Sequence, residues 1–346
     1  MSAPSTTTAH AASMPRPLIS LDRLHAWFAY DKPFWGKVKT WIKPVNNISL
    51  DIIQGECLGL VGESGCGKST LGRAILRLTP LTSGTIQFQG HPIESLNASA
   101  LKPFRPKMQM VFQDPKASLN PRMNVLNILK EALVLNREVD PEHHLEESVR
   151  LLSLVDLRPE HLFRFPREFS GGQQQRISIA RALATNPRFI VFDEATSALD
   201  VSVQAQVISL MKTLQHQLSL TYLFISHDLS IMEQVCARVA VMYAGQIVEV
   251  QDSTALFNAP RHPYTKALKD AVPIADPLHK KDLGVLKGEV PKLSSPPKGC
   301  HFHPRCDFRQ DLCQEQEPAP CETDPNSWVK CHFHEQLWKQ GALKDH

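Results

Sequence analysis

Long apolar runs are missing from this sequence, and their absence excludes a membrane-spanning chain. No stretch of about 18 uncharged apolar residues occurs in the 346 residues, so no segment is expected to cross a bilayer. The first 17 residues are rich in Ser, Thr and Ala, and they lack the basic start and apolar centre of a secretory signal. We therefore expect a disordered tail over 1–17 and a cytoplasmic protein, unless a partner tethers it.

A strong charge of one sign is also lacking. The 38 Lys and Arg residues against 35 Asp and Glu leave a formal charge of +3, which is too small to indicate nucleic acid as the main ligand. No internal repeat is visible. Hydrophobic residues make up 42% of the chain, enough for a sizeable core, and the length favours two domains.

Segments with the apolar pattern of strands alternate along the chain with segments that have the pattern of helices. Short apolar runs typical of buried strands occur at Cys57–Val61 and Phe189–Phe192. Helical patterns dominate from about 115 to 186, where the clearest are Asn124–Leu135 and His144–Leu154. The order predicts an α/β core interrupted by a helical insert. Prolines become dense after Phe257, which predicts an extended or loop-rich tail.

A glycine-rich loop between a predicted strand and a predicted helix has the sequence of a phosphate-binding P-loop. Its glycines allow successive backbone N–H groups to point at phosphates, and the helix N-terminus adds partial positive charge. Lys68 supplies a full charge, Ser69 is a candidate Mg²⁺ ligand, and Cys66 occupies a variable position with no specific role expected. The loop consists of Gly62, Glu63, Ser64, Gly65, Cys66, Gly67, Lys68, Ser69 and Thr70.

Two carboxylates end the apolar strand that begins at Phe189. Such a strand brings Asp193 beside the P-loop, where it can hold the Mg²⁺ shell. Glu194 points differently and is a candidate general base for an attacking water. A strand that ends in Asp-Glu is often only a strand end in solvent, but next to a P-loop the functional interpretation is favoured.

A second anion-binding pattern precedes the helix near Gln174. Ser170, Gly171, Gly172 and Gln173 form a helix start suited to an anion, although one chain needs only one phosphate cradle. This second cradle suggests that two chains share each nucleotide. Lying between a P-loop and an Asp-Glu strand, the pattern resembles the signature of ABC ATPases. In that family the signature of one subunit closes over ATP held by the other.

The resemblance implies roles for further residues. Gln113 resembles the glutamine that senses Mg²⁺ and the attacking water, and His227 the histidine that contacts the γ-phosphate. Phe28 resembles the aromatic residue that stacks on adenine, although Trp27 is adjacent and is an alternative. The implied fold is a P-loop NTPase core with an ABC-type antiparallel β subdomain, a helical subdomain and a small C-terminal Cys-rich module. The implied reaction is hydrolysis of ATP to ADP and phosphate with Mg²⁺.

The segments Ser118–Arg122 and Arg261–Thr265 are similar to those of the ATPases of dipeptide and oligopeptide importers. This resemblance, to the F-type subunit, implies three kinds of partner: a paralogous ATPase subunit in a heterodimer, two transmembrane permease subunits, and an extracytoplasmic substrate-binding protein. It places the chain peripherally on the cytoplasmic face of the inner membrane. The expected domains are 18–256 for the ATPase and 257–346 for the C-terminal module.

Five of the eight cysteines lie between Cys300 and Cys331, which in a reducing cytosol points to metal rather than disulfides. Cys300, Cys306, Cys313 and Cys331 resemble the iron–sulfur module of the importer family, and four thiolates suit a [4Fe–4S] cluster. Cys-His-Phe-His occurs twice, so mixed Cys/His zinc binding and unliganded thiols stay open. We expect no ligand role for Cys321, and we expect the tail to add nothing to the phosphate cradle.

Two other functions remain alternatives. One is a soluble ABC ATPase acting without a transporter, although such proteins usually carry two cassettes or a long coiled coil. The other is a redox- or metal-sensing regulator in which the tail is the functional part. The aromatic and basic segment Tyr30–Pro44 suits either a membrane-surface contact or an insertion packed on the core.

Overall fold

The computed structural model describes residues 16–30, 40–136, 138–271 and 288–343. The predicted tail over 1–17 lies almost wholly outside these ranges, and Pro17 already begins the first strand. Most of the aromatic and basic segment, 31–39, also lies outside them.

Twelve strands and twelve α-helices are present in the described ranges. The strands are β1 (Pro17–Ala29), β2 (Trp41–Ile53), β3 (Cys57–Val61), β4 (Ser83–Phe88), β5 (His91–Pro92), β6 (Met108–Val111), β7 (Phe189–Asp193), β8 (Thr221–Ser226), β9 (Arg238–Tyr243), β10 (Gln246–Asp252), β11 (Cys321–Asp324) and β12 (Ser327–Val329). The helices are α1 (Lys68–Ile75), α2 (Ala98–Leu101), α3 (Pro115–Ser118), α4 (Val125–Leu133), α5 (His144–Leu154), α6 (Gly171–Leu183), α7 (Val201–Leu218), α8 (Leu229–Val235), α9 (Ser253–Asn258), α10 (Pro263–Asp270), α11 (Asp311–Glu315) and α12 (His334–Lys339).

The larger sheet contains eight strands in the order β11-β12-β10-β9-β3-β8-β7-β6. Its centre is parallel, with β3 between β8 and β9 and with β7 between β8 and β6. Every residue of β3, β7 and β8 is buried, as expected for strands covered on both faces. The parallel strands therefore end at one edge, where the P-loop and the Asp-Glu pair lie close together.

The smaller sheet is antiparallel, in the order β2-β1-β4-β5, and agrees with the predicted antiparallel region. Its inner side chains, such as Ile19 and Ile52, pack with Leu71 of α1 and with Val191 of the larger sheet in one hydrophobic cluster. Helix α1 is thus held between two sheets, which fixes the direction of its N-terminus.

The helical insert covers the opposite face of the larger sheet. Helix α5 has the predicted bounds. Helix α4 begins one residue later than predicted, because the side chain of Asn124 accepts a hydrogen bond from the amide of Asn127 and caps the helix, and it ends at Leu133, two residues earlier than predicted. Leu129 and Leu151 of the insert lie in the same buried cluster as Phe192 of β7.

The predicted loop-rich tail contains short helices and strands between its loops. Within 257–271 and 288–343 the chain forms helices α10 to α12 and two strands, and β12 pairs antiparallel with β10. Val329 is fully buried in this pairing. Two short strands leave little periodicity in a sequence, and they become stable here because an existing sheet edge supplies their hydrogen-bond partners.

In the part of the chain that the structure describes, none of the helices is both long enough and apolar enough to cross a bilayer.

Candidate functional site

The P-loop is closed around the ammonium group of Lys68. Its Nζ donates hydrogen bonds to the carbonyl oxygens of Gly62 and Glu63, at 2.7 and 3.0 Å. Gly67 has a φ of 114°, and a Cβ added there would lie 1.9 Å from the carbonyl oxygen of Pro44. Only glycine fits this position, and it allows α1 to begin directly behind the loop.

The turn between β9 and β10 supports the loop. The amide of Gly245 donates to the carbonyl oxygen of Cys66 at 2.9 Å. The Cys66 side chain is fully buried, and this burial raises the pKa of its thiol. A buried, protonated thiol is unreactive, which agrees with a packing role for Cys66.

The candidate Mg²⁺ ligands Ser69 and Asp193 are in contact. The Ser69 hydroxyl donates to Oδ1 of Asp193 at 2.6 Å, and a guanidinium nitrogen of Arg73 lies 3.6 Å from Oδ2. Burial raises the pKa of Asp193, while the Ser69 hydrogen bond and the Arg73 charge oppose that rise. Arg73 was missed from sequence, although its position four residues after Ser69 on a helix indicates the same face.

Two further candidates, Gln113 and His227, converge on the carboxylate of Glu194. Oε2 of Glu194 accepts a hydrogen bond from Nε2 of Gln113 at 3.1 Å and lies 3.6 Å from Nδ1 of His227. Glu194 has a φ of 49°, uncommon for a residue with a side chain, and its amide donates to the carbonyl oxygen of Ile225 at 3.0 Å. The carboxylates of Asp193 and Glu194 therefore have different partners, although the two residues are adjacent in the chain.

An open cleft of about 510 Å³ lies beside these groups. Ser69, Arg73, Gln113 and Asp193 line it, together with residues at the start of the helical insert. The cleft therefore joins the P-loop to the insert at the edge of the parallel strands.

The signature segment forms a capped helix start. The Ser170 hydroxyl accepts from the amide of Gln173 at 3.3 Å, and the Gln173 side chain accepts from the amide of Ser170 at 3.1 Å. A Cβ added at Gly172 would lie 2.3 Å from a methyl group of Val203 in α7, so Gly172 provides a close helix contact. Helix α6 begins at Gly171, three residues before the predicted start. No hydrogen bond joins residues 170–173 to residues 62–70, both of which the structure describes.

The two aromatic candidates for the adenine contact differ in their surroundings. Trp27 is half-buried, packs edge-on against the His25 ring, and has the Lys43 ammonium 4.7 Å from its ring centroid. Phe28 is 40% exposed. The structure therefore leaves the ring of Phe28, rather than that of Trp27, available for stacking.

Four cysteines of the tail line one small cavity of about 20 Å³: Cys300, Cys306, Cys313 and Cys331. Burial raises the pKa of Cys300 and Cys306 to about 11 and that of Cys331 to about 12. No three His, Cys, Asp or Glu side chains in the described ranges are arranged to hold a single metal ion. Cys321 is exposed on β11 and does not line the cavity.

The expectation that the tail adds nothing to the phosphate cradle is wrong. The guanidinium of Arg305 forms two hydrogen bonds with the carboxylate of Glu63, at 2.7 and 3.0 Å. The Glu63 amide donates to the hydroxyl of Tyr264 at 2.9 Å. The sequence gives no local signal for these contacts, because 242 and 201 positions separate the partners.

Solved structures with the same fold are ATP-binding cassettes. The chain resembles the cassette MJ0796 in a dimeric post-hydrolysis state bound to ADP and Pi, with a TM-score of 0.60 and 26% identity over 68% of this chain and 98% of that one. It also shares its fold with cbiO1 of Clostridium perfringens, at a TM-score of 0.60, over 70% of this chain and 91% of that one. The predicted fold class, that of an ABC ATPase, is confirmed.

Matches to family models and to related proteins show which group of ABC ATPases the chain belongs to. The ABC transporter model matches residues 45–197, and the model for the C-terminal region of oligopeptide/dipeptide transporters matches 248–313. The chain is 48% identical to the oligopeptide transport ATP-binding protein AppF of Bacillus subtilis, over 85% of this chain and 90% of that protein. It is 45% identical to YkfD of the same organism, provisionally named as an oligopeptide transport ATP-binding protein, over 92% and 96%. The chain therefore belongs to the ABC transporter family of ATP-binding proteins, in the branch of the oligopeptide and dipeptide transporters, and it is an ATPase.

Proposed function

We propose that this chain hydrolyses ATP to power the import of di- or oligopeptides. The names of its relatives support the substrate class. The observation that carries the catalytic part is the convergence of Gln113 and His227 on Glu194, next to the contact between Ser69 and Asp193. The four groups offer a base, its orienting partners and metal ligands at one strand edge.

The P-loop residues bind the nucleotide in this proposal. Lys68 exchanges its two carbonyl partners for phosphate oxygens, and the backbone N–H groups of 62–70 surround the phosphates. Ser69, Asp193 and Gln113 would hold Mg²⁺, since hydroxyl, carboxylate and amide oxygens suit this ion. When bound, Mg²⁺ neutralises developing charge on the phosphates. Phe28 stacks on the adenine.

Glu194 acts as general base in this proposal. Its carboxylate accepts a proton from the water that attacks the γ-phosphate. The Gln113 amide and the His227 ring lie close enough to orient the carboxylate and the water together, and His227 contacts the γ-phosphate. The strained turn holds Glu194 in this orientation.

Ser170, Gly171, Gly172 and Gln173 act on the nucleotide of a second subunit. Their capped helix start presents N–H groups, and no hydrogen bond ties it to the P-loop of the same chain within the described residues. We propose that the second subunit is a paralogous ATPase in a heterodimer. Two permease subunits, an extracytoplasmic binding protein and a peripheral location on the cytoplasmic face of the inner membrane complete the assembly.

Partner dependence provides the test. The isolated chain should bind MgATP but hydrolyse it slowly, and kcat should rise steeply when the paralogous subunit and the permeases are added. The measurement is phosphate release at matched protein concentration, with light scattering to define the oligomeric state. Full activity in a dilute monomer would contradict the shared site.

We further propose that the cysteine cavity holds a [4Fe–4S] cluster. Four thiols facing one cavity supply the Cys₄ set that such a cluster needs, and the cavity must widen to admit it. Two histidines that line the same cavity already use a ring nitrogen: Nδ1 of His303 bonds to the carbonyl oxygen of Cys300, and Nε2 of His332 to that of Gln316. Each histidine keeps its second ring nitrogen, and a ring oriented by a backbone carbonyl is also typical of a metal-ligating histidine, so mixed Cys/His zinc binding stays the alternative that the test must separate.

The cluster proposal is tested by purification without oxygen. The wild-type protein should be brown and contain iron and sulfide, and changing any one of the four lining cysteines to serine should remove the colour. Cys321→Ser is the matched control and should keep it. A colourless protein with stoichiometric zinc would instead indicate Cys/His ligands, and a metal-free protein would refute both.

The domain limits 18–256 and 257–346 remain part of the proposal. The match to the C-terminal family begins at residue 248, and β12 pairs with β10, so the module shares a sheet with the ATPase core. Limited proteolysis that cuts the folded chain near residue 257 would support the predicted boundary, and protection of that region would contradict it.

A further inference from the structure

Arg305 of the C-terminal module forms an ion pair with the P-loop. The two guanidinium nitrogens contact the two carboxylate oxygens of Glu63, at 2.7 and 3.0 Å, in a bidentate arrangement. The Arg305 side chain is only 4% exposed and that of Glu63 22%. A paired and largely desolvated fork of this kind fixes both partners in position and orientation.

A second contact fixes the backbone at the same residue. The hydroxyl of Tyr264 accepts a hydrogen bond from the amide of Glu63 at 2.9 Å. The Tyr264 ring lies 4.5 Å from that of Tyr243 and 5.3 Å from that of Phe302, between ring centroids. Both the backbone and the side chain of Glu63 are therefore held by groups outside the P-loop.

These contacts arise from the segment that lines the cysteine cavity. Phe302 lines that cavity together with Cys300 and Cys306. A 3-10 turn over His303–Arg305 joins the two cysteines, and Arg305 directly precedes Cys306. A change in the spacing of these thiols must therefore move the backbone that carries Arg305.

We propose that Arg305 is a positioning residue for the P-loop, through which the state of the thiol-lined cavity sets the affinity for MgATP. Glu63 is the second residue of the loop, and Lys68 donates to its carbonyl oxygen, so a shift of Glu63 displaces the phosphate-binding groups. The proposal rests on the proposed function only in requiring that the P-loop binds nucleotide.

The test measures the dissociation constant for MgATP with the full chain, purified without oxygen. Arg305→Ala should raise the constant within the roughly 5- to 150-fold range of coupled sites. Arg305→Lys keeps the charge but loses the bidentate contact with Glu63, so this variant should raise the dissociation constant by a smaller factor. Cys306→Ser should also raise the constant, and the double variant should bind no more weakly than the weaker single variant, because both changes act through Arg305.

Lys330→Met is the matched control. Lys330 belongs to the same module, is also buried and pairs with Glu317 at 3.4 Å. This variant should lower the melting temperature but leave the dissociation constant within about twofold, because Lys330 forms no hydrogen bond with residues 62–70 in the described ranges.

Three outcomes would overturn the inference. They are an Arg305→Ala variant with unchanged affinity, multiplicative effects of Arg305→Ala and Cys306→Ser, and a Lys330→Met variant with equally weakened binding. If Arg305→Ala does not fold, Glu63→Gln takes its place, because it leaves the module intact, and unchanged affinity there is equally decisive. A wild-type chain that binds no MgATP would refute the proposed function as well. If the wild-type chain binds MgATP and the variants have the same dissociation constant, only this inference is refuted.

Discussion

Replacing Glu194 by glutamine should separate ATP binding from ATP hydrolysis. The two side chains have the same shape, so the strained turn at φ 49° and the contact with Gln113 can both be kept. Ser69 and Asp193 are untouched, and they keep the metal ligands. Only the ability to accept a proton from water is lost.

The expected loss follows from that single change. Removing a general base typically lowers kcat by about 10²- to 10⁴-fold, which corresponds to roughly 3–5 kcal/mol in the activation barrier. Because Gln113 and His227 remain to orient the water, we expect the loss to lie inside this range. Affinity for MgATP should change by less than about threefold, since no group of the P-loop is altered.

The assay is phosphate release by the assembled transporter, paired with nucleotide binding to the isolated chain. Glu146→Gln is the matched control, because the Glu146 side chain on α5 is 81% exposed. The kcat of this variant should remain within about twofold of the wild-type value. A kcat for Glu194→Gln within a few-fold of wild type would refute the assignment of the base. A loss accompanied by equally weakened binding would refute the separation of roles.

Three other changes test separate parts of the structure. Gly67→Ala should abolish MgATP binding, because its Cβ would meet a backbone oxygen at 1.9 Å, whereas Gly90→Ala, also at positive φ but with nothing within 4 Å, should cost only about 1–2 kcal/mol of stability in urea unfolding. Glu249→Gln should make stability rise more steeply between pH 4.5 and 6.5 in pH-resolved unfolding. Burial raises the pKa of Glu249 to about 7, so its contribution to the free energy of unfolding falls as pH rises through this range. Burial lowers the pKa of His262 to about 3, so its contribution rises over the same range, and the two trends offset each other in the wild type. Ser69→Ala should raise the Mg²⁺ concentration needed for hydrolysis, measured by magnesium titration, and leave binding of metal-free ATP nearly unchanged.

The parts of the fold that the sequence predicted well are those with strong local periodicity. The fully buried strands β3 and β7 and the helix α5 could be recognised because burial on two faces, or on one helical face, leaves a regular apolar pattern. The P-loop was equally clear, because its glycines satisfy a local backbone requirement.

The parts that the sequence did not predict depend on distant partners. β12 contains only three residues and exists because β10 offers an edge. Arg305 and Glu63 meet only once the whole chain has folded, and neither position carries a local signal. Arg73 could have been found, since it lies four residues after Ser69 on the same helix.

The addition of β12 to the sheet has a consequence for truncated forms of the protein. β10 pairs with β9 on one side and with β12 on the other, and its residues up to Gln251 are buried. Removing residues after Phe257 would bare the backbone N–H and C=O groups along the outer side of β10, next to apolar side chains such as Val248 and Val250. An open apolar edge of this kind recruits strands from other molecules, so such a fragment should self-associate. Residues 327–329 thus cover one edge of the sheet, and this edge of β10 has no partner strand from this segment until residues 327–329 have been synthesised.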